Sequence, residues 1–106
     1  MIQYGSDMIT ELKFVSFEPT IEQRDHQWVD IELRPTLWPS TPVPSAISDF
    51  TILVICTTGG QIAQMIPYDE GCDCEFQFTM TEKEQIEAYI LSEEIQSRIH
   101  NLTSPE

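Results

Sequence analysis

The chain has 106 residues, 41% of them hydrophobic, with 18 acidic residues against five basic ones and a net charge of −13. That is enough chain for one small domain around one core, and the composition is globular rather than disordered. So negative a surface repels phosphate backbones and anionic lipid heads, which argues against direct binding to nucleic acid or a membrane surface; it would speed encounter with a basic partner, or serve solubility alone.

No stretch approaches the roughly 20 apolar residues of a membrane span, and the first residues lack the pattern of a signal peptide. The three cysteines do not form a secreted disulfide framework, so a cytoplasmic protein with reduced thiols is expected. One domain over residues 1–106 is the expected organisation.

"ITELKFVSF" (Ile9 to Phe17) reads as a first strand. Leu12 and Phe14 alternate with Glu11 and Lys13, but Val15 and Phe17 then change face, as either a β-bulge or two partly covered faces would cause. "EPTIEQRD" follows as a polar connection. "HQWVDIELR" (His26 to Arg34) has period two, with Val29, Ile31 and Leu33 on one face and Trp28, Asp30 and Glu32 on the other. Pro35 to Ser48 holds four of the seven prolines and reads as a long, stiff loop, because proline lacks a ladder donor and biases its predecessor toward extended geometry. Long loops in compact domains are often functional.

"DFTILVICTT" (Asp49 to Thr58) is apolar on both faces and should be a central strand. Gly59-Gly60 suits a two-residue hairpin turn into a returning strand, "QIAQMIPY", with a short helix from Gln61 to Met65 as the alternative. "CEFQFTM" alternates again and points Cys74, Phe76, Phe78 and Met80 inward. "TEKE" forms a capping box from Thr81 to Glu84. The helix it opens is expected from about Glu82 to His100, with Ala88, Leu91, Ile95, Ile99 and Leu102 as its core stripe. Ser92, followed by Glu93 and Glu94, could cap a second helix with a kink between the two, and "NLTSPE" closes the chain as a frayed tail. These elements describe an α+β domain: an antiparallel meander of about five strands with a C-terminal helix packed on one face.

Candidate chemistry concentrates in "YDEGCDCEFQF", where Asp69, Glu70, Asp73 and Glu75 surround Cys72 and Cys74. Structural zinc commonly takes two closely spaced ligand pairs, and Cys72-x-Cys74 has no second pair to join. The acids do not follow the spacing of a calcium loop. Residues two apart on one strand are poorly placed for a disulfide. The two histidines sit in no nucleophile motif. No cofactor and no catalytic residue is therefore assigned. From Asp69 to Glu94, nine acids stand against Lys83 alone. Within this run Asp69, Glu70, Asp73 and Glu75, together with Trp38, an aromatic on a stiff loop, are the candidate partner-binding residues. Each has an ordinary explanation too: a solvated helix face for the acids, and an indole folded over the sheet edge for Trp38.

"ELKFVSFEP", "WVDIELRP", "DFTILVICTT" and "EQIEAYI", in that order, resemble immunity proteins of bacterial polymorphic toxin systems, nearest to immunity protein family eight. Phe50, Ile52, Val54, Ile55, Cys56 and Thr57 stand at that family's strand motif, and the chain departs from its pattern at Gly59-Gly60. The resemblance implies a cytosolic protein that binds and blocks one toxin domain, and it brings no catalytic residues. The rival expectations are an acidic phage-type mimic of nucleic acid that blocks a DNA-binding protein, and a metal-binding or enzymatic domain built on the Cys72–Cys74 loop.

Overall fold

A computed structural model describes residues 1–103. Its main sheet has five antiparallel strands in sequential order: β2 (Phe14–Gln23), β3 (Trp28–Leu37), β4 (Phe50–Thr57), β5 (Ile62–Asp69) and β6 (Cys72–Asp73). β1 (Ile2–Gln3) and β7 (Phe76–Gln77) form a separate two-stranded ribbon. The helices α1 (Met80–Ile90) and α2 (Glu93–Thr103) follow. This is the α+β meander expected from the pattern of the chain, with two helices in place of one and with Cys72–Asp73 as its fifth strand; of the expected strand "CEFQFTM" only Phe76–Gln77 is strand, and it pairs with β1 outside the main sheet.

The first strand starts later than the sequence pattern implies and runs through "EPTIEQ", which is strand rather than connection. Leu12 and Phe14 instead find backbone partners in side chains of α1. Glu82 accepts from the Leu12 amide at 2.8 Å, and Gln85 accepts from Phe14 at 2.9 Å while donating to the Leu12 carbonyl at 2.9 Å. The expected bulge is present: the β2–β3 register shifts between Phe14 and Ser16. It turns Phe14 and Phe17 to the same side, their rings 5.0 Å apart, with Tyr89 of α1 4.8 Å from Phe17. Pro19 is tolerated because β2 is an edge strand. At the far end of the hairpin, the Asp25 carboxylate accepts from the Gln27 and Trp28 amides at 2.8 and 2.9 Å and fixes the turn.

β3 extends through Pro35 to Leu37, so the proline-rich loop is shorter than the composition implies. β4 is central, as its two apolar faces require. The β4–β5 connection is longer than a two-residue turn. Thr57 N–H donates to Gln61 C=O at 2.8 Å, and Gly60 takes the positive φ (+92°) that closes it. Gln96 of α2 donates to the Gly60 and Ile90 carbonyls at 3.1 and 2.9 Å, tying this turn to the end of α1.

The helix begins two residues earlier than expected, capped by Thr79 and not Thr81. T-x-x-E occurs twice in overlap, and the pair used is Thr79–Glu82. Glu82 wins because it is fully buried and has further partners: the Thr79 amide, the Leu12 amide and the α-amino group of Met1, the last at 2.5 Å. Met80 is consequently the first helical residue and is exposed, not inward-facing. The helical stripe is also re-phased. The chain breaks at Leu91–Ser92, and the buried positions are Ile86 and Ile90 on α1 and Ile95 and Ile99 on α2. Ala88, Leu91 and Leu102 are exposed. Asn101 to Thr103 continue α2 instead of fraying, and the remainder of the expected tail lies outside the described residues.

Both helices pack on one side of the sheet. Val29, Ile31, Leu33, Ile52, Val54 and Cys56 face them with no solvent exposure, in one core with the four helical isoleucines. Among the described residues no helix is long and apolar enough to cross a membrane.

Candidate functional site

A strand alternates its side chains, so the residues between the core positions form the opposite face. Register aligns Trp28 with Thr57, Asp30 with Ile55, and Glu32 with Leu53. It then aligns Leu53 with Ile66 and Ile55 with Gln64, and Tyr68 with Thr51 on one side and Asp73 on the other. Neither the helices nor the proline-rich loop covers this face. Ile47 and Val43 of that loop belong to the core side, whereas Trp28, Leu53, Ile55, Ile66 and Tyr68 pack against no part of the core cluster. These five are half-buried. Around them stand Asp30, Glu32 and Asp73, with Glu18 and Glu22 on the paired edge strand. The result is an apolar centre with an acidic rim on an uncovered sheet.

The electrostatics of this face are local. Desolvation raises the Tyr68 phenol above its ordinary pKa, and the negative charges of Asp73 and Asp30 push it further in the same direction. Asp30 is held by Arg24 through two bonds of 2.6 and 2.9 Å. Being exposed, that pair contributes little stability, but it orients the carboxylate beside the apolar stripe.

The acidic stretch singled out in the sequence becomes the β5–β6 hairpin and the residue beyond it. Glu70 and Gly71 both have positive φ (53° and 80°), as a type I′ turn requires, with Asp69 opposite Cys72. The structure separates the four acids by task. Asp69 accepts from the Ser48 and Asp49 amides at 3.0 and 2.8 Å and so latches the end of the proline-rich loop to the hairpin. The Glu70 amide adds a 3.0 Å bond to the Asp49 carbonyl, leaving its carboxylate exposed at the tip. Asp73 joins the open face through its pairing with Tyr68. Glu75 is exposed after β6, its carbonyl accepting from Tyr4 at 2.9 Å.

Trp38 lies at the same end of the sheet as the hairpin, where β3 ends and β5 turns. Its amide donates to Lys13 and its carbonyl accepts from Thr41, which fixes the backbone. The indole is 54% exposed.

The cysteines fall into three environments. Cys56 is buried, its thiol pushed up to about 11 by desolvation. Cys74 is half-buried against the core, donates from Sγ to the Pro67 carbonyl at 3.4 Å, and is raised chiefly by burial. Cys72 is exposed. Among the described residues no three His, Cys, Asp or Glu side chains gather so as to hold a metal ion.

No protein-family model matches the chain, and no curated protein or solved structure is significantly similar to it.

Sequence reasoning missed Leu53, Ile55 and Ile66 as surface candidates. Their apolar character on a second face reads as a covered strand; only the placement of both helices on one side exposes it. The outward acids of "WVDIELR" were the available signal.

Proposed function

We propose that this protein is a non-catalytic acidic inhibitor that binds and neutralises a basic protein partner, as an immunity protein blocks its toxin domain in the bacterial cytoplasm. One observation carries the reading: the uncovered sheet face sets a contiguous apolar centre (Trp28, Leu53, Ile55, Ile66, Tyr68) inside a rim of carboxylates. An uncovered apolar patch with a charged border is the anatomy of a protein interface. The centre supplies desolvation and aromatic anchoring. The rim and the net charge of −13 accelerate encounter with lysine- and arginine-rich surfaces, such as the substrate-binding face of a nuclease, and reject like-charged ones. Glu70, Glu75 and Trp38 extend the same border at the hairpin end. A reducing compartment agrees with three free cysteines.

The test begins by capturing the partner from the native cell with the whole protein. Association rates are then compared for the wild type and a Glu32→Lys/Asp73→Lys variant, neither residue forming an ion pair among the described residues. The variant should associate about tenfold more slowly at low salt, with the gap closing near 0.5 M salt. Equal rates at both salt concentrations would refute the electrostatic reading.

A further inference from the structure

The sheet has an unfinished edge. β6 covers β5 only at Tyr68 and Asp69, and among the described residues no strand pairs with Ile62–Pro67 on that side. The direction of the backbone groups follows from two bonds. Thr57 donates to Gln61, so alternate residues Thr57, Ile55, Leu53 and Thr51 turn their backbone groups toward β5. Their partners Gln64, Ile66 and Tyr68 turn inward. Met65, Pro67 and Asp69 therefore turn outward, and the Cys74 thiol bond to the Pro67 carbonyl confirms the direction. Pro67 offers no N–H. Met65 directs an N–H and a C=O outward, to the side on which no described strand pairs with it.

This edge opens on a groove of about 660 Å³. Ile62, Met65 and Pro67 form one bank; Phe76, Phe78 and Lys83 lie on the other, because β7 pairs with β1 and leaves β5 uncovered. Ile62, Met65 and Pro67 share the core face of β5, opposite Cys56, Val54 and Ile52. The groove thus combines the outward N–H and C=O of Met65 with an apolar floor, the two elements that recognise an added strand.

We infer that the β5 edge from Ile62 to Pro67 is a strand-addition site for an extended, positively charged segment of a protein partner. The charge of that segment rests on the functional reading above; the strand geometry does not. Asp73 lines the groove beside the hairpin acids, so a lysine or arginine at that end meets a complementary field. Two copies pairing edge to edge would bring −13 against −13, and Pro67 together with the register shift near Ala63 interrupts a long self-pairing. Six residues of edge accept an extended segment of roughly 20 Å.

A display library of random ten-residue peptides selected against the whole protein tests this. Selected peptides should alternate apolar and polar residues and carry lysine or arginine toward one end. N-methylation scanned along a selected peptide should weaken binding with period two, by about five- to tenfold at each amide that faces β5 and little at the amides between. Binding should also protect the Met65 amide from hydrogen exchange. Met65→Pro should bind about tenfold less well while Met65→Leu retains affinity. Failure to select any peptide, or losses without period two, would overturn the inference. Period-two losses in peptides with no basic preference would keep the strand site and remove the basic partner. Basic peptides without the period would do the reverse.

Discussion

The two faces of the sheet obey different rules although they share the same strands. On the helix side, every β3 and β4 position from Val29 to Leu33 and from Ile52 to Cys56 is fully enclosed, and hydrophobic burial explains each residue. On the other side, Leu53, Ile55 and Ile66 are apolar without enclosure, and carboxylates stand beside them where stability gains nothing from like charge. Folding accounts for the first face. The second is what a partner would recognise.

The largest expected effect lies at the seam that closes the covered face. Glu82→Ala removes the carboxylate from the Met1 amino group, the Leu12 amide and the helix cap together. Breaking such a buried pair should cost roughly 3–5 kcal/mol, read as a lower midpoint in urea unfolding. A loss below 1 kcal/mol would show that the network is not formed in solution. The faces themselves are compared by Ile31→Ala, expected to cost roughly 2–5 kcal/mol, and Leu53→Ala, expected to cost clearly less because its neighbours already admit water. Equal losses would mean that something covers the open face.

Thiol reactivity sharpens the same contrast without mutation. Cys72 should react first with an aromatic disulfide reagent, Cys74 more slowly, and Cys56 only on unfolding, since burial pushes its thiol up to about 11. Rapid labelling of Cys56 in the native state would contradict the packing of the core face. The smallest effect is at the β2–β3 turn. Backbone donation from Gln27 and Trp28 lowers the Asp25 pKa below its ordinary value of 3.8. Its contribution to stability is therefore present above that ordinary value and is lost as pH falls through the lower, folded value. Asp25→Ala should flatten that part of the acid-unfolding profile, and an unchanged profile would remove the turn from the account.

Much of the fold is legible in the chain. Period two in Val29–Ile31–Leu33 and the doubly apolar Phe50–Thr57 identify the centre of the sheet, and the switch at Val15 announces the bulge. What escapes local pattern depends on distant residues. Two overlapping T-x-x-E boxes are equivalent until Met1 and Leu12 reach one of them. The strand over Glu18–Gln23 looks like a polar connection because an edge strand keeps one polar face. The candidate acids were visible as a cluster, but their division was not: Asp69 is committed to amides about twenty positions away, while Asp73 is delivered to the open face only by hairpin register. The apolar half of that surface could not be read, because covering a sheet is a tertiary event.

The central claim is that the open face is where the partner binds. Methyl NMR of the whole protein, with and without the captured partner, tests it directly. Binding should shift and broaden the methyl signals of Leu53, Ile55 and Ile66 and leave those of Ile86, Ile95 and Ile99 in place. Perturbation confined to the helical isoleucines or to exposed helix positions such as Leu91 would contradict it.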